Sequence, residues 1–229
     1  MPKLPIVVLI SGSGSNLQAL INAIARGELS AEIHAVISNR PDAGGLQRAR
    51  AAGIPAEALD HTAFESRAAF DQALQAHIDR YAPELVVLAG FMRLLSDDFV
   101  AHYSGRMINI HPSLLPAYTG LNTHQRVLDA GDKQHGASVH FVTAELDGGP
   151  VILQATVAVQ PTDNAQTLAA RVLTQEHRLY PRVVQWFAEG RLQLRDGQVW
   201  FDGAALSQPL QLEALPDEDG MARQGEPGQ

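Results

Sequence analysis

Asn109 and His111 stand two residues apart at the end of an apolar run, Met107-Ile108-Asn109-Ile110. On an extended chain that spacing points both side chains to one face. A carboxamide and an imidazole leaving one strand end together suit acyl chemistry. The amide N–H can hold a developing oxyanion, and the imidazole can move protons near neutral pH. The competing reading is a strand-end pair that bonds loop backbone, and spacing alone leaves both open. Pro112-Ser113-Leu114-Leu115-Pro116 follows, and its two prolines continue neither a strand nor an ordinary helix.

A second chemical stretch lies near the start. Leu4 to Ile10 reads as a buried strand, Ser11-Gly12-Ser13-Gly14-Ser15-Asn16 as a small-residue loop, and Leu17, Leu20, Ile21 and Ile24 as a helical row. Such a loop at a helix N-terminus can turn N–H groups onto a phosphate. A dinucleotide site would want a glycine where Leu17 stands and an acid near Ser38-Asn39-Arg40, so a monophosphate cradle fits better. A tight turn with Ser15 or Asn16 as helix cap is the alternative.

The elements between these stretches alternate strand and helix. Strands are expected over Ile33 to Ser38, Ile54 to Leu59 and Leu85 to Gly90, with helices over Leu46 to Ala52 and on the Phe70, Leu74, Ile78 and Tyr81 row. The pattern predicts an α/β fold, doubly wound, with a mostly parallel central sheet. Phe91-Met92-Arg93-Leu94-Leu95 leaves the carboxyl end of a central strand, where open α/β sheets hold ligands. These residues could wall a ring pocket or pack as core with a snorkelling Arg93.

Ala137 to Val142 and Val151 to Val157 read as an antiparallel C-terminal part of the sheet. The loop Thr143-Ala144-Glu145-Leu146-Asp147-Gly148-Gly149-Pro150 joins them. It could carry the Asp147 carboxylate to another strand end or bond only itself. Ser138 and His140 share a strand face, and His135 has the opposite parity. With no HExxH and no compact ligand triple, no metal is expected, and most of the nine histidines read as surface or packing residues. In the last long helix, Glu176 interrupts the row Leu168, Val172, Tyr180. It either snorkels, the reading that pattern favours, or faces a polar ligand. Pro181 should kink or interrupt that helix. A hairpin is expected around Asp196-Gly197. The domain is read as 1–206, with a flexible Pro-, Gly- and acid-rich tail over 207–229.

Composition narrows the classes further. With no cysteine among 229 residues, disulfides and thiolate chemistry are excluded. A formal net charge of -8 argues against a broad nucleic-acid surface, though not against one small anion in a local nest. The start has neither a signal layout nor a run long enough to span a membrane, so a cytoplasmic location is expected.

In order and spacing, the motifs match a known family. Gly12-Ser13-Gly14-Ser15-Asn16, Leu88-Ala89-Gly90-Phe91-Met92-Arg93, Asn109-Ile110-His111-Pro112-Ser113-Leu114-Leu115-Pro116, His135-Gly136-Ala137-Ser138-Val139-His140 and Leu146-Asp147-Gly148-Gly149-Pro150 together resemble the phosphoribosylglycinamide formyltransferases. The likeness runs from Ile6 to about Asp202. It implies the formyltransferase-like fold and formyl transfer from 10-formyltetrahydrofolate, a co-substrate, to the amine of phosphoribosylglycinamide in purine synthesis. It implies Asn109, His111 and Asp147 as the catalytic group, and Gly14, Ser15, Asn16 and Glu176 as the ribonucleotide site. Arg67, Met92, Arg93, Leu94, Leu95 and Asn109, with Thr143, Ala144, Glu145, Leu146 and Asp147, would hold the folate. No metal, nucleic acid or membrane is implied, and the chain would be a monomer or homodimer. The loop 117–122 departs from some relatives, with Ala117, Thr119 and Asn122 in place of Lys, Pro and His. Other formyl-folate enzymes, a hydrolase among them, and a non-catalytic nucleotide-binding module are the alternatives.

Overall fold

The computed structural model describes residues 2–215. Its elements run β1 (Leu4–Ile10), α1 (Ser15–Ala25), β2 (Ala31–Ser38), α2 (Gly44–Ala51), β3 (Ala56–Ala58), α3 (Arg67–Asp79), β4 (Leu85–Leu88), α4 (Asp97–His102) and β5 (Met107–His111). Then come α5 (Thr123–Ala130), β6 (Gln134–Phe141), β7 (Val151–Ala158), α6 (Ala165–Ala188), β8 (Leu192–Arg195), β9 (Gln198–Phe201), β10 (Ala204–Ala205) and β11 (Leu210–Gln211). Eight strands form one sheet in the order β11-β7-β6-β5-β4-β1-β2-β3. From β3 to β5 the pairing is parallel; β6 and β7 are antiparallel additions.

Alternation along the strands explains the two helical layers. Ile6, Val8 and Ile10 of β1 face one core with Leu17 and Leu20 of α1 and Leu168, Val172 and Val184 of α6. Val7 and Leu9 face the other, with Phe70, Leu74 and Ile78 of α3 and Phe99 of α4. A strand buried on both faces must be apolar throughout, and β1 and β4 are. The hairpin β8–β9 turns through Asp196 and Gly197, both at positive φ, as a two-residue primed turn requires.

Two expectations change. Pro181 does not interrupt helix α6, which continues through it. Pro181 cannot donate to the carbonyl four residues back, a cost of about 3 kcal/mol. Leu179, Tyr180, Val183 and Val184 are fully buried around it, each contributing about 1.5–3 kcal/mol. The chain from 207 also begins as sheet rather than tail: β11 pairs in parallel with β7, and Leu212 is buried. The open edge of β7 recruits two residues that carry no pattern of their own. The rest of the expected tail, 216–229, lies outside the described residues. Among the described residues no helix is long and apolar enough to cross a membrane.

Candidate active site

The carboxyl ends of β1, β2, β4 and β5 meet where strand order reverses about β1, the crevice in which open α/β sheets hold ligands. A cleft of about 520 Å³ opens there, lined by Ser11 to Asn16, Asn39, Arg40, His61, Ala89, Gly90, Met92 and Arg93. Its floor is backbone. Gly14 precedes α1 with φ 73, and no side chain caps the helix. Neither Ser15 nor Asn16 is the cap, so the first-turn N–H groups are left for an anion. Gly14 also lies against Gly45: a Cβ on Gly14 would stand 2.6 Å from Gly45 Cα.

Asn16, which lines the cleft, donates through Nδ2 to Glu176 Oε2 (2.7 Å), across 160 residues of sequence. Asn16 Oδ1 is buried with no hydrogen-bond partner among the described residues. Glu176 does not snorkel. It is 8% exposed, and burial raises its carboxyl above the usual range against the lowering effect of Asn16. Its placement follows from Tyr180, one turn later, whose hydroxyl donates to Leu88 O (2.7 Å) and Ile108 O (3.1 Å). Those bonds pin α6 under the ends of β4 and β5.

The reaction candidates converge beside this cleft. Asn109 and His111 leave β5 on one face, as parity requires. His111 is buried; its Nε2–H donates to Tyr118 O (2.9 Å), and its Nδ1 lies 3.5 Å from Asp147 Oδ2. Asp147, at φ 51, also accepts from Gly120 N–H (2.8 Å). The loop 117–122 is therefore tied to both reaction side chains.

His140 completes the cluster and is the residue that sequence reasoning passed over. Antiparallel pairing sets it opposite Asn109. Its Nδ1–H donates to Phe141 O (2.9 Å), so the bare Nε2 accepts from Asn109 Nδ2 (3.1 Å). That Nε2 lies 3.9 Å from Asp147 Oδ1. Burial lowers the His140 pKa despite the Phe141 carbonyl and the Asp147 charge, which keeps the ring neutral. Only the register of β5 on β6 would have revealed it. Behind His111, His124 Nδ1 and His135 Nε2 stand 3.0 Å apart, and burial lowers both, His135 to about 4.

A second, narrow cleft of about 110 Å³ opens on the other side of Asn109. Leu88, Phe91, Arg93, Leu94, Leu95, His140, Val142 and Thr143 to Asp147 wall it. Of the residues expected at a folate, Arg93, Leu94, Leu95, Asn109 and Thr143, Ala144, Glu145, Leu146 and Asp147 meet here. Met92 lines the first cleft instead, and Arg67 is exposed at the start of α3 and lines neither. Arg93 lines both, so the two clefts share a wall. Asn39, Arg40 and His61 were not expected in the first cleft; they follow β2 and β3 at the ligand-bearing sheet end, the one signal that could have found them. A larger cleft of about 830 Å³, lined by Lys3, Ile24, Ile33, Ile54 and Tyr81 among others, lies at the opposite strand ends, away from this chemistry.

The chain is similar throughout most of its length to known proteins. Residues 4–184 match the formyl transferase family. The phosphoribosylglycinamide formyltransferase of Escherichia coli is 58% identical over 201 residues, which cover 88% of this chain and 95% of that one. The enzyme of the same name from Haemophilus influenzae is 47% identical over the same shares. Among solved structures, the phosphoribosylglycinamide formyltransferase of Coxiella burnetii superposes with a TM-score of 0.87 at 57% identity, covering 91% of this chain and 99% of that chain.

Proposed function

We propose a mechanism from the premise that this chain belongs to the formyl transferase family and, within it, to the phosphoribosylglycinamide formyltransferases. Its reaction is the transfer of the formyl group of 10-formyltetrahydrofolate to the glycinamide amine of phosphoribosylglycinamide, in de novo purine synthesis. The substrate phosphate sits on the N–H groups of Gly14, Ser15 and Asn16, and Glu176 takes the ribose or glycinamide end. The folate head enters the narrow cleft between Arg93-Leu94-Leu95 and Thr143 to Asp147, and exposed Leu94 and Leu146 form its outer rim. Met92 borders the first cleft. All these residues belong to one chain, so the site is complete in a monomer and needs nothing from a homodimer. The reaction is placed in the cytoplasm.

The neutral amine attacks the formyl carbon and forms the new C–N bond, giving a zwitterionic tetrahedral intermediate. One Asn109 N–H is held by His140; the other faces the oxyanion, with protonated His111. Tyr118 O engages Nε2 of His111, so Nδ1 is the atom that exchanges protons. Asp147 anchors the water through which the ammonium loses its proton. The folate nitrogen gains a proton as its C–N bond breaks, and tetrahydrofolate leaves.

The convergence of His111 on Asp147, with Asn109 and Asp147 both lining the narrow cleft that shares Arg93 with the first, carries this reading. Single-turnover formylation by Asn109→Ala, His111→Ala and their double mutant tests it. Each single change should slow the chemical step about 10²–10⁴-fold with ligand binding near normal. The double mutant should be far less damaged than the product of the singles. Unchanged rates in either single mutant, or fully multiplicative losses, would remove the shared-site assignment.

A further inference from the structure

The loop between β4 and α4 is the wall common to both clefts, yet it has no helix or strand of its own. Its two ends are held from outside. At the start, Met92 N–H donates to Ser11 Oγ (2.7 Å), which itself donates to Asn39 Oδ1 (2.5 Å). At the end, Ser96 N–H donates to Asp71 Oδ2 (2.7 Å).

Asp71 is the unusual anchor. It is 2% exposed on α3, next to Phe70 and on the core-facing side with Leu74 and Ile78, where an apolar residue would satisfy the packing. Its second oxygen, Oδ1, has no hydrogen-bond partner among the described residues. Burying a carboxylate with so little compensation is costly. The contact it makes in return is with the backbone of the donor-pocket wall. Phe70 supports the same wall, with its ring centre 4.8 Å from the Arg93 guanidinium carbon. Two consecutive residues of α3 thus hold the wall, one by charge-assisted hydrogen bond and one by its ring face.

We propose that Asp71 is a positioning residue for the formyl donor: by gripping Ser96 N–H it fixes Arg93, Leu94 and Leu95 where the folate packs. The proposal rests on the donor assignment above. It predicts an asymmetric effect, because Asp71 holds the end of the loop that walls the narrow cleft, whereas the ribonucleotide end is held by Ser11.

Three variants of the full chain test it. Asp71→Leu keeps the branched skeleton but cannot accept the bond. Ser96→Pro removes only the N–H, and at φ -74 the backbone already suits proline. Asp71→Asn keeps an acceptor oxygen. The readouts are the dissociation constant of tetrahydrofolate by calorimetry and the separate KM values for donor and ribonucleotide. Asp71→Leu and Ser96→Pro should each weaken tetrahydrofolate and raise the donor KM about tenfold, with the ribonucleotide KM within about twofold. Asp71→Asn should restore both. Equal losses for the two ligands would make Asp71 merely structural, and unaltered tetrahydrofolate binding in either variant would overturn the proposal. Should Asp71→Leu not fold, Ser96→Pro with normal donor affinity overturns it as well. Failure of the donor assignment itself looks different: the unaltered chain would then bind no tetrahydrofolate.

Discussion

The cleft proposed for the ribonucleotide and the cluster proposed for the reaction share one edge of the sheet but are built differently. The floor of the first is backbone from a single continuous loop, Gly12 to Asn16, shaped by a positive φ at Gly14 and by close contact with Gly45. The second is made of side chains from three segments: Asn109 and His111 on β5, His140 on β6 and Asp147 in the loop beyond it. An anion asks only for several N–H groups in a concave array, which backbone supplies whatever the side chains are. Proton transfer asks for particular pKa values at particular atoms, which only side chains supply. The two should therefore respond to substitution in opposite ways: the cleft to shape, the cluster to single atoms.

The sharpest contrast is Asp147→Asn. The exchange alters one atom and preserves shape; asparagine tolerates the φ of 51, and its oxygen can still accept from Gly120 N–H. It removes the negative charge facing His111 Nδ1 at 3.5 Å. Turnover should fall about 10²–10⁴-fold while the ribonucleotide KM stays near its original value. Steady-state kinetics with each substrate varied in turn gives the answer. Near-normal turnover would mean that the loop needs the shape of Asp147 and the reaction does not need its charge.

The cleft should show the reverse. Ser13 is exposed, and Ser13→Ala should change ribonucleotide affinity no more than about twofold, as ordinary surface changes do. Gly14→Ala alters one methyl, but that methyl meets Gly45 Cα at 2.6 Å on a backbone with φ 73. The left-handed conformation alone costs about 1–2 kcal/mol, and the backbone contact must also be relieved. Ribonucleotide affinity should fall about tenfold or more, with tetrahydrofolate affinity retained. Calorimetric titration with each ligand separates the outcomes. A Ser13 effect as large as that of Gly14 would show that hydroxyls, rather than backbone, make the nest.

The same distinction decides what could be read before the fold was known. The strand, glycine loop and helix of β1 and α1 are local, and periodicity with small residues marks them. Asn109 and His111 share a face by parity alone. Asp147 was legible as a loop carboxylate that could meet another strand end or bond only its own loop, and only the family likeness favoured the first, because its reach depends on how the β6–β7 turn folds back over β5. His140 was missed because its partner is fixed by interstrand register, which no local pattern encodes. Glu176 was legible as an interruption of an apolar row, but its partner lies 160 residues away, and pattern favoured solvent. Leu210–Gln211 shows a further limit: two residues gain strand geometry only from the edge they meet.

Glu176 offers the smallest effect and the one that joins the two regions, since its carboxylate borders the backbone nest through Asn16. Its carboxyl pKa is raised by burial above the unfolded value of 4.5. A raised carboxyl means that the folded state binds the proton more tightly than the unfolded one. Its favourable contribution is therefore complete below about pH 4.5 and is lost as pH rises through the higher folded value. Once ionised, Glu176 is a buried negative charge with one Asn16 N–H for compensation. Glu176→Gln removes that charge and leaves an oxygen to accept from Asn16. The variant should be more stable at neutral pH by about 1 kcal/mol, or about 2–4 °C in Tm for a chain of this size. The gain should vanish near the acid end of the window, where Glu176 is protonated in both states. Ribonucleotide affinity should fall about tenfold as the charged acceptor is lost. Thermal melts at about pH 4.5 and about pH 7.5, paired with ribonucleotide titration, give the test. A destabilised Gln variant at neutral pH with undiminished affinity would mean that Glu176 serves the helix packing and not the ligand.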